Sequence, residues 1–122
     1  MPTQLGFVSL QVSNLDASRQ FYTEVLGFEP LATEQQPDAC VFATQSGAIF
    51  AIRKPMIDLQ AVNRLGWGVG LWFNVEQLDA FLHRIHGKAT LVRGIQATPF
   101  GNTAVIADPD GYTLTLLEVP AQ

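Results

Sequence analysis

The side chains able to bind a metal ion or transfer a proton are few in this sequence. His83 and His86 stand three positions apart on a predicted helix, a spacing that can place two imidazoles on one metal ion. No third donor accompanies them, so we interpret the pair as solvent-facing, with metal binding as the alternative. Asp108 and Asp110 flank a proline in a predicted tight turn, where aspartate stabilises the backbone, and we prefer this interpretation to a pair of catalytic acids.

The other candidates for chemistry are interpreted as parts of the fold. Cys40 is the only cysteine and no base stands beside it, so we expect a small buried side chain rather than a nucleophile. Tyr22 shares the apolar face of a predicted helix and is assigned to the core. The glycine-rich segment 66–70 precedes a strand and not a helix, so it lacks the helix N-terminus with which phosphate loops bind anions. No catalytic residue is predicted.

The chain has the size and composition of one folded domain. It contains 122 residues, 48% of them hydrophobic, with 7 basic against 11 acidic side chains and a formal net charge of -4. We expect no nucleic-acid partner, because no basic stripe is available for phosphates, and no membrane span, because no apolar run is long enough. The start lacks a signal-peptide pattern and a lone cysteine forms no internal disulfide, so we expect a cytoplasmic protein.

An internal repeat provides the elements that position the polar side chains. Segments 7–17 and 70–80 both alternate along a strand and then enter a helical pattern. The shared residues are Val12, Leu15, Asp16 and Ala17 in the first copy and Val75, Leu78, Asp79 and Ala80 in the second. Ser13 or Asn14 can cap the first helix by accepting a hydrogen bond from its first turn.

Each half of the chain is predicted to be a βαβββ module. The two helices should end at Gly27 and Gly87, where a left-handed cap favours glycine. Further strands are predicted at 29–33, 39–44 and 48–53 in the first half and at 90–94, 103–107 and 112–119 in the second. We expect a single domain, 1–122, with module one at 5–54, a connector at 55–66 and module two at 67–119. Neither module can bury its apolar face alone, so the two must pair, within the chain or between chains.

Three motifs accompany this double pattern: the helix start at 12–18, the run Phe21–Phe28 and the Asp-Pro-Asp-Gly turn at 108–111. Together they resemble the vicinal oxygen chelate superfamily of glyoxalases, bleomycin resistance proteins and extradiol dioxygenases, from Leu5 to Val119. The resemblance implies an α+β fold in which two βαβββ modules form a curved mixed sheet, a cup that holds a ligand or a metal ion. It also implies a homodimer.

The resemblance places the metal ligands of the superfamily's enzymes at four positions. In this sequence those positions carry Phe7, Ala51, Gly70 and Thr115. The first three have no side-chain donor atom, and a lone hydroxyl is a poor ligand for a divalent ion, which favours several imidazole or carboxylate groups. We therefore predict no metal ion and no cofactor.

Strand alternation predicts which side chains face the cup. The predicted ligand-binding residues are Phe7, Ser9, Gln11, Arg53, Trp72, Asn74, Thr113 and Thr115. Phe7 and Trp72 are interpreted either as an aromatic floor for a planar ligand or as packing across the module interface. Arg53 either binds an anionic group of the ligand or extends to water.

These residues predict a metal-free small-molecule-binding protein that sequesters or carries a partly aromatic organic ligand. The first alternative is a metal-dependent lyase, isomerase or dioxygenase of the same superfamily, which would need at least three converging ligands. A metal-free enzyme ranks lower, because no general base is assigned to the cup. The second alternative is an interaction module whose curved sheet serves only as a dimer scaffold or as a ligand-sensing partner of another protein.

Overall fold

The structure, a computed structural model, describes residues 3, 5–31, 36–44, 47 and 49–120. The chain divides into two compact units, Met1–Val62 and Asn63–Gln122. Each unit contains one four-stranded mixed sheet and the same βαβββ order of elements. The predicted α+β fold with a repeated module is therefore confirmed.

The first unit is built around a sheet of order β1-β4-β3-β2. Strand β1 pairs with β4 in parallel, and the other two pairs are antiparallel. The elements are β1 (Val8–Gln11), helix α1 (Leu15–Gln20) followed by a π-helical turn (Phe21–Val25), β2 (Glu29–Pro30), β3 (Ala39–Ala43), β4 (Ile49–Arg53) and a short 3₁₀ turn (Leu59–Ala61).

The second unit repeats this arrangement with longer strands. Its sheet has the order β5-β8-β7-β6, with β5 and β8 parallel and the other pairs antiparallel. The elements are β5 (Leu71–Val75), helix α2 (Leu78–Ile85), β6 (Thr90–Thr98), β7 (Gly101–Ala107) and β8 (Thr113–Glu118). No helix in the described part of the chain has the length and apolar character needed to cross a membrane.

Three of the four helix ends are formed by the capping residues predicted from the sequence. The Asn14 side chain accepts a hydrogen bond from the Ala17 backbone N–H at 3.0 Å, which selects Asn14 over Ser13 as the cap. Gly27 and Gly87 have φ angles of 87° and 79°, the left-handed conformation that was expected of them. The π-helical turn that extends α1 was not predicted.

The start of α2 departs from the repeat. Gln77 occupies the cap position with a left-handed φ of 52° and makes no side-chain cap hydrogen bond. The Leu78 backbone N–H instead donates to Glu118 Oε2 at 2.8 Å, so a residue from the end of β8 caps this helix.

The core of the first unit is aromatic. Tyr22 and Phe42 are fully buried, and Phe28 and Phe50 pack against them with ring centroids 5.0 to 6.4 Å apart. The T-shaped and tilted contacts are those favoured by aromatic quadrupoles. Cys40 is also fully buried, and Tyr22 belongs to the core as predicted.

The core of the second unit is aliphatic. Leu78 and Ile85 of α2 are buried together with side chains from one face of the sheet, which are Ala104, Ile106, Leu114 and Leu116. The predicted turn at 108–111 is present, because Asp108 Oδ1 accepts hydrogen bonds from the backbone N–H groups of Asp110 and Tyr112 at 3.0 and 2.9 Å.

Several strand ends differ from the prediction. Strand β6 continues to Thr98 rather than ending at residue 94, because two register shifts interrupt its alternation and hide its length in the sequence. Strand β7 starts at Gly101 rather than at residue 103, and β8 spans Thr113–Glu118 rather than 112–119. The predicted strand residues 32, 33 and 48 and turn residues 45 and 46 lie outside the described residues.

Candidate functional site

Each sheet has one face that its helix covers and one that it leaves uncovered, here called the open face. In the first sheet the covered face carries buried side chains such as Leu10, Phe50 and Ile52. Alternation places Ser9, Gln11, Ala51 and Arg53 on the first open face, and strand pairing sets Ser9 beside Ala51 and Gln11 beside Arg53.

The predicted residues of the first unit are brought together on this face, with one at its margin. Phe7 lies one residue before β1 and is 57% exposed. The Gln11 side chain accepts a hydrogen bond from the Met56 backbone N–H at 2.7 Å, which ties the face to the segment after β4. Arg53 is half-buried and donates from Nε to the Lys54 carbonyl at 3.3 Å.

The second open face carries the other four predicted residues. Strand pairing sets Trp72 beside Thr115 and Asn74 beside Leu117, with Thr113 further along β8. Leu114 and Leu116 alternate with these residues and are buried on the opposite face. Hydroxyl and amide groups therefore surround an exposed indole on this face.

An aromatic pair that sequence analysis did not identify lies on the same face. The ring of Phe100 meets the Trp72 indole edge to face, with centroids 5.9 Å apart and an interplanar angle of 82°. The two side chains are 74% and 48% exposed. Phe100 belongs to the turn between β6 and β7, where a single apolar residue carries no periodic signal that could have pointed to it.

Arg93 on β6 is a second residue of this face that the sequence pattern did not indicate. Arg93 pairs with Val105 in the strand register and donates from Nη1 to Gln96 Oε1 at 2.8 Å and from Nη2 to Thr103 Oγ1 at 3.0 Å. Thr103 is fully buried and pairs with Leu117 of the second open face. Strand alternation could not orient Arg93, because the register shifts lie on both sides of it.

The donor set does not fit a divalent metal ion. Of the four positions at which the resemblance places metal ligands, Phe7, Ala51 and Gly70 carry no donor atom and only Thr115 offers a hydroxyl. Within the described residues no three side chains of His, Cys, Asp or Glu come together.

The remaining candidates for chemistry lie away from the open faces. His83 on α2 and His86 at its end are exposed, and Cys40 is buried on the covered face of β3. A shallow depression beside the start of α2 is lined in part by Gln77, Asn102 and Glu118. We assign it to helix capping, because the Glu118 carboxylate already accepts hydrogen bonds there.

A comparison with protein families matches residues 4–116 of the chain to the model described as Glyoxalase/Bleomycin resistance protein/Dioxygenase superfamily. A search of curated proteins finds no match.

Solved structures share this fold at low sequence identity. TnmS3, an antibiotic binding protein from Streptomyces sp. CB03234, is 23% identical, with a TM-score of 0.76 and 98% of each chain covered. A glyoxalase-related enzyme from Fulvimarina pelagi is 22% identical, with a TM-score of 0.74 over 97% of this chain and 89% of the other. A protein from Agrobacterium tumefaciens, known from a solution NMR structure, is 27% identical, with a TM-score of 0.72 over 98% of this chain and 100% of the other.

Proposed function

The chain belongs to the glyoxalase/bleomycin resistance protein/dioxygenase superfamily, and we propose that this member binds a small, partly aromatic organic molecule without a metal ion. The observation that carries the proposal is the exposed edge-to-face pair of Trp72 and Phe100 on the second open face. Exposed large aromatic side chains grouped beside neutral polar residues are typical of surfaces that bind planar organic ligands.

The aromatic pair can supply a large part of the affinity. A ring system that covers half of the exposed indole and phenyl surface removes on the order of 100 Å² of apolar area from water, which corresponds to roughly 2.5 kcal/mol. Loss of ligand freedom on binding offsets part of this gain. Polar contacts must then contribute to both affinity and orientation.

The polar residues of the two open faces suit orientation rather than catalysis. Hydroxyl and amide groups donate and accept hydrogen bonds but are poor general bases at neutral pH. The proposed ligand-binding residues are Phe7, Ser9, Gln11 and Arg53 on the first open face and Trp72, Asn74, Thr113 and Thr115 on the second, with Phe100 added to the second face from the structure. TnmS3, which is described as an antibiotic binding protein, supports binding as a use of this fold.

Fluorescence anisotropy of a planar neutral probe, anthracene-2-carboxamide, tests the proposal. We expect saturable binding to the wild-type protein and about tenfold weaker binding to Trp72→Ala, because the indole face is lost. Trp67→Ala is the matched control, since Trp67 is exposed and packs against Arg64, 4.8 Å from the ring centroid. Equal affinities of the wild-type and Trp72→Ala proteins would overturn the proposed site.

Elemental analysis of protein purified without chelator separates this proposal from the metal-dependent lyase, isomerase or dioxygenase. Because Phe7, Ala51 and Gly70 offer no side-chain donor atom, we expect substoichiometric metal. Zinc, iron, manganese or nickel at one equivalent per chain would overturn the metal-free proposal in favour of a metal-dependent enzyme.

The assembly and location are part of the same proposal. We propose a homodimer, which light scattering coupled to size-exclusion chromatography measures directly, and a reducing cytoplasmic location, in which the fully buried Cys40 stays a thiol. A monomer at all concentrations would remove the dimer from the proposal without affecting the ligand site.

A further inference from the structure

Arg93, on edge strand β6, extends over the second open face although sequence analysis left it unassigned. Its Nη2 donates to the hydroxyl of Thr103, which pairs with Leu117 of β8, and Leu117 in turn pairs with Asn74 of β5. Side chains paired across neighbouring strands share a face, so Thr103, Leu117 and Asn74 form one row across the sheet, and Arg93 belongs to the adjacent row of Val105, Thr115 and Trp72. The guanidinium therefore lies at the edge of the face that carries Trp72.

The described residues leave the charge of Arg93 without a counter-ion. Its three hydrogen-bond acceptors are neutral oxygens, namely the Gly94 carbonyl, Gln96 Oε1 and Thr103 Oγ1. No carboxylate among the described residues lies within ion-pair distance of it. A half-buried guanidinium in this state is stabilised by any anion that reaches it.

Other arginines of the described chain are engaged differently. Arg19 forms an ion pair with Asp16 at 3.0 Å, and Arg64 and Arg84 lie over aromatic rings at 4.8 Å from the centroids. Arg53 likewise has no ion pair within the described chain but donates there only to the carbonyl of its neighbour Lys54, whereas two neutral side chains, those of Gln96 and Thr103, hold Arg93 in place.

The guanidinium retains donors for a ligand. An arginine side chain has five N–H groups, and the three hydrogen bonds of Arg93 use both of those on Nη1 and one on Nη2. No described residue accepts a hydrogen bond from the Nε–H or from the second Nη2–H, and two donors can address both oxygens of a carboxylate. Because Gln96 and Thr103 already fix the group, binding costs little further side-chain entropy.

The span between the aromatic and cationic groups limits the size of the ligand. Trp72, Thr115, Val105 and Arg93 follow one another across β5, β8, β7 and β6. Three strand spacings of about 4.8 Å separate the first and last backbones by roughly 14 Å. A ligand of about three fused rings with a terminal acidic group matches this span.

We infer that Arg93, held by Gln96 and Thr103, forms an anion subsite that binds the carboxylate of a planar polycyclic ligand whose rings lie on Trp72 and Phe100. This inference rests on the proposed function and adds to it the charge and length of the ligand.

A matched pair of probes tests the inference. Anthracene-2-carboxylate and anthracene-2-carboxamide share ring system and length and differ in charge, and anisotropy titrations give both dissociation constants. We expect the wild-type protein to bind the carboxylate about tenfold more tightly, because a charge-assisted hydrogen bond is formed with only one probe. Arg93→Gln should abolish this preference by weakening carboxylate binding far more than carboxamide binding, whereas Arg84→Gln on α2 should retain the preference.

The outcomes separate the inference from the proposed function. If neither probe binds the wild-type protein, the proposed function fails and the subsite with it. If both bind with equal affinity, or if Arg93→Gln keeps the preference, binding on the aromatic face stands and the anion subsite is wrong. If Arg93→Gln does not fold, Arg93→Lys takes its place, because lysine keeps the charge but lacks the planar guanidinium. A preference for the carboxylate probe reduced threefold or more supports the subsite. An unchanged preference overturns it.

Discussion

The Trp72 indole and the Phe100 ring meet edge to face across 5.9 Å, although one belongs to edge strand β5 and the other to the turn between β6 and β7. Each ring remains largely exposed, so the contact orders the rings without hiding them. Gly70 leaves space beside the indole, since a Cβ at this position would lie in van der Waals contact with the indole Nε1, at 3.4 Å.

Phe100→Ala should weaken binding of anthracene-2-carboxamide about fivefold, because Trp72 loses both a neighbouring ring and a constraint on its orientation. Anisotropy titration measures the change. Phe100→Leu, which keeps apolar bulk without the ring, should lose less. Unchanged affinity in Phe100→Ala would show that Trp72 acts alone.

Gly66→Ala should destabilise the protein more than Gly68→Ala. Both positions have a positive φ, 73° and 94°, so each alanine costs about 1 kcal/mol of backbone strain. Only at Gly66 would the new Cβ also lie 3.0 Å from Cδ1 of the buried Tyr112. We expect about 1 kcal/mol of additional destabilisation from this contact. Urea unfolding measures both variants, and equal losses would show that the Tyr112 ring moves aside freely.

Glu118→Ala should lower the free energy of unfolding by about 1–2 kcal/mol, because the first turn of α2 loses its carboxylate cap at the Leu78 N–H. Glu118→Gln keeps an acceptor oxygen and should lose about half as much. Thermal melts followed by circular dichroism give both values. A melting curve of Glu118→Ala identical to that of the wild-type protein would contradict the capping role.

The module pattern and helix ends were accessible from the sequence because they depend on local signals. The Asn14 cap, the left-handed Gly27 and Gly87 and the Asp108 turn each involve residues within a few positions of one another. The alternation of β5 and β8 likewise predicted which of their side chains share a face.

The parts that escaped prediction depend on contacts between distant segments. Glu118 caps a helix that starts 40 positions earlier, and Phe100 reaches Trp72 from a hairpin turn. Arg93 was not oriented because the register shifts of β6 remove the period-2 signal around it. Phe100 and Arg93 are the residues that the structure adds to the predicted site.

Metal-free binding on the second open face can be tested by NMR. Chelator-treated protein is titrated with anthracene-2-carboxamide, and the two tryptophan indole N–H signals are recorded in ¹H–¹⁵N spectra. A Trp67→Phe variant assigns the signals. We predict that the Trp72 signal shifts with saturation while the Trp67 signal stays in place, because the proposed ligand lies on the second open face and needs no metal ion. A Trp72 signal that does not move at saturating probe would contradict it.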